Sequence, residues 1–97
     1  LPIDPETKQL VATDIKSAAS QSLENVKAIL AQAGASMDSV IKTTVFLRDL
    51  ADFTAFNEVY ATYFPENSPA RSCVQVAKLP MDAMVEVEAI AVGTQEV

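Results

Sequence analysis

The sequence predicts an α+β domain in which two helices cover one face of a mixed sheet, in the order β-β-α-β-α-β-β. Apolar residues recur at intervals of three and four along residues 14–33 and again along residues 53–64, which is the spacing of one helix face. Residues 40–47, 71–77 and 85–92 are rich in β-branched residues, as strands are. Because each helix stands between two strands, parallel neighbours joined by right-handed crossovers are expected.

The amino-terminal part predicts a short hairpin followed by a long helix. Residues 4–8 form a polar turn between two short apolar pieces. Thr13 and Asp14 are candidate N-caps of a helix at residues 14–33, and Gly34 is a suitable stop because glycine takes the left-handed conformation at low cost. The first strand of the hairpin is very short and the chain has no initiator methionine, so we expect that residues upstream are missing from the sequence.

The second half predicts a strand, a helix and two closing strands. Asp49 and Asp52 are both candidate caps of the second helix, and Pro65 ends it. Residues 78–83 form the loop between the last two strands, since they include a proline that a strand interior tolerates poorly. The other face of the sheet then needs a cover, and a second subunit is the simplest one. The apolar face of the second helix consists of aromatic residues, which are expected to be core: Phe53, Phe56, Tyr60, Tyr63 and Phe64.

Composition and charge restrict the class of protein. A chain of 97 residues with 49% apolar residues suits one small domain with a marginal core, so oligomerisation is expected. A formal net charge of −6 argues against nucleic acid as the partner, because phosphate binding needs clustered Lys and Arg. Histidine is absent, which removes the commonest general base and metal ligand. One cysteine and no segment that resembles a signal peptide or a bilayer span predict a cytoplasmic protein.

Arg71 and Glu86 are the leading candidates for chemistry. Arg71 and Cys73 share one face of their predicted strand, while Glu86 and Glu88 share a face with Ile90 of the last strand. If these strands are neighbours, a guanidinium and a carboxylate hold a small carboxylic acid and a water molecule side by side. The alternatives are an Arg71 that pairs with a structural glutamate and a Glu86 that lies at a solvated edge.

Cys73 and Asn57 are candidates for a binding role. A nucleophilic Cys73 would need a base or a cationic setting to form the thiolate, and no histidine exists to help. A small buried hydrophobic residue whose backbone lines the pocket is the better interpretation. Asn57 lies inside the predicted second helix, where helix propensity does not favour asparagine. A solvent-facing side chain is the alternative for Asn57.

Four blocks of the chain, in this order, resemble the YjgF/RidA family of reactive-intermediate deaminases. The segments SLENVKAIL at residues 22–30 and KTTVFLRDL at residues 42–50 are similar to its first helix and its central strand. The segment PARSCVQVAKLP at residues 69–80 resembles the signature of the family, and VEVEAIA at residues 85–91 resembles its closing strand. The resemblance covers essentially the whole chain.

The resemblance implies a chorismate-mutase-like fold, assembled as a homotrimer with sites in the clefts between subunits. It also implies hydrolysis of enamines and imines such as 2-aminoacrylate, 2-iminopropanoate and 2-iminobutanoate to 2-keto acids and ammonia, with no cofactor and no metal. In that scheme Arg71 binds the substrate carboxylate, Glu86 orients water and exchanges protons, and Cys73 and Asn57 line the pocket. Glu88 has a supporting role. Family members usually carry a further segment before the hairpin, which this sequence lacks.

Two other functions remain open at this point. The same cleft in a metabolite-binding module would bind 2-keto acids without turnover. Some members of the family have been described as ribonucleases or translation inhibitors, but a sequence pI near 4.4 and the absence of histidine disfavour such an activity.

Overall fold

The order of the main elements confirms the predicted α+β class. The computed structural model describes residues 1–66 and 68–93. Each helix or strand begins and ends within two residues of its prediction, apart from those of the amino-terminal hairpin. The elements are α1 (Ile15–Gln32), β1 (Val40–Leu47), α2 (Phe53–Tyr63), β2 (Ala70–Gln75) and β3 (Val85–Ala91).

Asp14 is the N-cap of α1, one of its two predicted caps. Its side chain accepts hydrogen bonds from the backbone N–H and the hydroxyl of Ser17, at 2.8 and 3.0 Å. These bonds satisfy a donor that the first helical turn would otherwise leave unpaired. Gly34 has a φ of +77°, the left-handed conformation expected just beyond the end of the helix. No helix in the described ranges is long and apolar enough to cross a membrane.

The amino-terminal hairpin has less strand structure than predicted. Only Ile3 and Leu10 pair as an isolated antiparallel bridge, and the N–H of Val11 donates to the carbonyl of Pro2 at 2.8 Å. Pro2 in the first arm has no N–H to donate to a ladder, and the Asn25 amide of α1 donates to two carbonyls of that arm, at 2.7 and 3.2 Å. The two predicted strands are therefore reduced to one bridged pair that is tied to α1.

The sheet has the order β2-β1-β3, with β1 parallel to β2 and antiparallel to β3. The parallel pairing joined through α2 confirms the expected crossover connection. The register places Arg71 opposite Thr43 and Cys73 opposite Val45. Because directly opposed residues of neighbouring strands share a face, this register fixes which side chains meet the helices.

The helices cover one face of the sheet, as predicted. Thr43, Val45 and Leu47 of β1 point into the core and are buried beneath them. On the other face Val74 and Ile90 are 44% and 60% exposed. The described part of the chain therefore leaves an apolar sheet surface open to solvent, which is the surface predicted to need a cover.

Asp49 and Asp52 precede α2 but do different things. Asp49 caps a short 3₁₀ turn by accepting from the N–H of Ala51 at 2.9 Å, whereas Asp52, at the N-cap position of α2, makes no capping bond with its side chain. The helix ends at Tyr63, two residues before Pro65. This end agrees with the steric exclusion of a helical conformation before proline.

Candidate functional site

Arg71 lies on the face of β2 that looks toward α2. Its register partner is Thr43, whose side chain points into the core. The half-buried guanidinium of Arg71 donates from Nη1 to Oδ1 of Asn57, at 2.5 Å. The structure thus brings together two of the predicted site residues, and Asn57 is not simply solvent-facing.

Two aromatic rings lie against the same guanidinium. Cζ of Arg71 is 4.7 Å from the centroid of the Tyr60 ring and 5.2 Å from that of Phe53. Distances below about 6 Å are typical of cation–π contacts. Phe53, Asn57 and Tyr60 are four and three residues apart on α2, so they occupy one face of the helix. Tyr60 is core as predicted, but it and Phe53 also contact a charge, which the core interpretation missed.

Tyr60 is fixed by a buried hydrogen bond to the sheet. Its hydroxyl and the hydroxyl of Thr43 are 2.8 Å apart, and the two residues are 5% and 1% exposed. Since Thr43 is the register partner of Arg71, this bond holds the ring of Tyr60 over the strand pair that carries the guanidinium. Sequence reasoning gave Thr43 no part in the site.

Arg71 makes no ion pair within residues 1–66 and 68–93. The ion pairs described there join Lys16 to Glu58 and Arg48 to Asp82. Asn57 is its one described hydrogen-bond acceptor, although a guanidinium has five N–H donors. The alternative in which a structural glutamate neutralises Arg71 is therefore not seen, and the group retains donors for an anion.

A cavity of about 420 Å³ adjoins the guanidinium. Its lining includes Tyr60, Ala61 and Phe64 from the region of α2, and Ser68 and Arg71 from the chain that leads into β2. The volume is within the range of small-molecule sites, and the lining combines apolar surface with one charge and a hydroxyl. The arrangement can bind a small organic anion whose charged end meets Arg71.

Cys73 follows Arg71 on the same face of β2 and is half-buried against the core. Burial raises the pKa of its thiol above the ordinary value, and the positive charge of Arg71 offsets only part of this effect. A thiol with a raised pKa is a poor source of thiolate at neutral pH. This argues against a nucleophilic Cys73. Its side chain packs against the core, and Cys73 is not among the residues that line the cavity beside Arg71.

Glu86 does not meet Arg71 within one chain, which corrects the expectation of neighbouring strands. β1 lies between β2 and β3, and Glu86 is the register partner of Phe46. Phe46 in turn faces Val74, so Glu86 belongs to the open face of the sheet while Arg71 belongs to the covered one. Glu88 shares the open face. The period of a strand predicts which of its own residues share a face. Strand order and register decide which residues of different strands lie on the same face of the sheet.

Comparison with known proteins identifies the family. The family described as Endoribonuclease L-PSP matches residues 1–93. A RutC family protein of Pyrococcus abyssi is 54% identical over 91 residues, which cover 94% of this chain and 72% of the relative. A Salmonella typhimurium protein named 2-iminobutanoate/2-iminopropanoate deaminase is 52% identical over 95 residues, which cover 95% of this chain and 73% of the relative.

Solved structures give the same result. Escherichia coli TdcF with bound serine is 50% identical with a TM-score of 0.90, over 96% of this chain and 74% of TdcF. The Escherichia coli YjgF gene product is 46% identical with a TM-score of 0.85, over 94% of this chain and 73% of that protein. Sequence and fold agree over nearly the whole chain, and the protein belongs to the YjgF/RidA family, also called RutC or L-PSP.

Proposed function

We propose that this protein hydrolyses small 2-imino acids and their enamine tautomers to 2-keto acids and ammonia. The observation that carries the proposal is the environment of Arg71. Its guanidinium has no acidic partner among the described residues and contacts two aromatic rings, and Arg71 lines a cavity of about 420 Å³. The names of relatives such as the Salmonella deaminase support this reaction. The serine bound to TdcF supports a small carboxylate as the ligand.

The reaction needs one group that binds the substrate carboxylate and another that orients a water molecule. Water adds to the imine carbon, the nitrogen gains a proton, and the resulting carbinolamine loses ammonia as its hydroxyl proton leaves to form the ketone. Arg71 binds the substrate carboxylate through two N–H donors, a geometry that a lysine cannot provide. Asn57 positions the guanidinium, and Cys73 is proposed to line the pocket because it shares the face of β2 that carries Arg71.

Glu86 of a neighbouring subunit is the residue proposed to orient water and exchange protons. Within one chain the sheet separates Glu86 from Arg71, so a site that uses both needs a second copy. The apolar side chains of Val74 and Ile90 on the open face support packing of that face against another subunit. A homotrimer is the assembly proposed for this chain, with Glu88 in a supporting role.

The activity is tested with 2-iminobutanoate generated in solution from threonine by a dehydratase. The protein should accelerate ammonia release, and Arg71→Ala should abolish the acceleration. Asn57→Ala removes the hydrogen-bond partner of the guanidinium but leaves the positive charge of Arg71 in place. It should therefore reduce turnover less than Arg71→Ala does. Unchanged turnover in Arg71→Ala would refute the anchor role.

The contribution of two subunits is tested by mixing inactive variants. Arg71→Ala and Glu86→Gln proteins are unfolded, mixed in equal amounts and refolded together. If each site takes Arg71 from one copy and Glu86 from another, about a quarter of the sites in random assemblies keep both groups. Recovery to about that fraction supports the proposal, and the absence of any recovery contradicts it.

A carboxylate-binding module without turnover is the second candidate. The observation that favours it is that one chain supplies Arg71, Asn57 and the cavity, whereas Glu86 lies on the other face. Calorimetry with 2-oxobutanoate beside the ammonia assay separates the two: binding without ammonia release favours the module. Cleavage of a defined RNA by protein freed of nucleases would instead support the ribonuclease activity named in the family description.

A further inference from the structure

We propose that Tyr60, anchored by Thr43, and Phe53 are positioning residues that hold the guanidinium of Arg71 ready for a carboxylate. The inference rests on the proposed binding role of Arg71 and extends it to residues that the motif does not include. The juxtaposition that carries it is one charged group in contact with two rings of α2, of which the buried ring of Tyr60 is bonded to the strand beside Arg71.

Contacts with aromatic rings leave the N–H donors of a guanidinium available for hydrogen bonds. A guanidinium that stacks on aromatic rings does so with its flat faces, whereas its N–H donors radiate in the plane. One of these donors goes to Asn57. The remaining donors have no described acceptor. Arg71 is one of the residues that line the cavity, so a carboxylate bound there can accept two of these donors in parallel.

The bond between Tyr60 and Thr43 makes the ring of Tyr60 a fixed surface. A buried tyrosine whose hydroxyl is satisfied has little freedom to rotate away, and Thr43 lies on β1 directly opposite Arg71. Arginine is a flexible side chain that loses much rotamer freedom when it binds a ligand. A guanidinium that is already held loses less of this freedom, so binding becomes tighter without any new contact to the ligand.

The test compares variants of Tyr60 with a core control on the same helix. Tyr60→Leu removes the ring, Tyr60→Phe retains the ring and removes the hydroxyl, and Phe56→Leu removes a buried ring that has no described contact with Arg71. For each protein we would measure the Kd for 2-oxobutanoate by calorimetry, the KM and kcat for 2-iminobutanoate, and the Tm.

We expect Tyr60→Leu to weaken 2-oxobutanoate binding and raise KM by about tenfold, while kcat changes by less than about threefold. Tyr60→Phe should weaken binding by about threefold, less than Tyr60→Leu, because the ring remains against the charge but loses its bond to Thr43. Phe56→Leu should lower Tm to a similar extent as Tyr60→Leu without the loss of affinity. Equal affinity losses in Phe56→Leu and Tyr60→Leu would overturn the inference.

Two further outcomes are separated by the design. If Tyr60→Leu fails to fold, Phe53→Leu removes the half-buried ring of Phe53 instead, and an unchanged Kd in that variant counts against the inference. If the wild type binds 2-oxobutanoate but releases no ammonia from the imine, the hydrolase proposal fails while the effect of Tyr60 on Kd is still decisive. A wild type that neither binds 2-oxobutanoate nor hydrolyses the imine overturns both.

Discussion

The hydrogen bond between Thr43 and Tyr60 allows a quantitative prediction about stability. Its oxygens are 2.8 Å apart in residues that are 1% and 5% exposed, so water cannot readily replace either partner. Thr43→Val and Tyr60→Phe each remove one hydroxyl with little change in shape. Each single change leaves the other hydroxyl buried without its partner, which costs about 1–3 kcal/mol.

The double variant should be less destabilised than the sum of its parts. Removing both hydroxyls leaves no unpaired group, so we expect a total loss of about 1 kcal/mol and a coupling energy of about 1–5 kcal/mol. For a domain of this size, 1 kcal/mol corresponds to roughly 4–8 °C in Tm. Each single variant should therefore melt roughly 4–24 °C below the wild type, and the double variant should not melt below the lower of the two.

Urea denaturation followed by circular dichroism at pH 7 measures the free energies of unfolding for the four proteins. The m-values should agree, which would show that the unfolded states expose similar surface. Valine and threonine are both β-branched, so strand propensity in β1 is nearly unchanged. Strict additivity, with a coupling energy below about 0.3 kcal/mol, would refute the claim that the two hydroxyls satisfy each other.

Further predictions concern three titratable groups. Burial, followed by a hydrogen bond to Glu24, raises the pKa of Tyr63 to about 12 from an ordinary 10.0. In a variant whose other tyrosine is phenylalanine, phenolate absorbance should have its midpoint near 12, and a midpoint near 10 would contradict the contact. Because burial raises the pKa of Cys73, iodoacetamide should alkylate it at pH 7.5 at least about threefold more slowly than a free thiol. Cys73→Ser should keep imine turnover within about threefold of the wild type, since no thiolate is required. Hydrogen bonds from the first turn of α1 lower the pKa of Asp14, so its contribution to stability is present above pH 3.8 and lost as the pH falls through the lowered value. Asp14→Ala should therefore lower Tm at pH 7, with a difference that shrinks in acid; a pH-independent difference would contradict this.

Local chemistry predicted the helices and strands well. Asp14 and Gly34 delimit α1 because a side-chain acceptor and a residue able to take positive φ act within one helical turn. The parallel pairing of β1 and β2 followed from the helix between them. The amino-terminal hairpin was over-predicted because its apolar pieces suggested strands. Pro2 has no N–H for a strand ladder, and the Asn25 side chain binds two carbonyls of the first arm.

The candidate site was only partly accessible from sequence. Arg71 and Cys73 share a face because a strand has a period of two, and this held. The position of Glu86 depends on β1 lying between the other two strands, which no local pattern states. The spacing of Phe53, Asn57 and Tyr60 was readable as one helix face, but its meaning depends on which strand it overlies.

The placement of Arg71 and Glu86 on opposite faces of the sheet has a consequence for the proposed activity in a cell. With Arg71 beneath the helices and Glu86 on the bare side, the proposed catalysis would depend on the abundance of the protein. Turnover per chain would fall on dilution below the concentration at which copies associate, and would follow more than the first power of protein concentration in that range. A newly synthesised chain would then be inactive until it associated with further copies of the same chain.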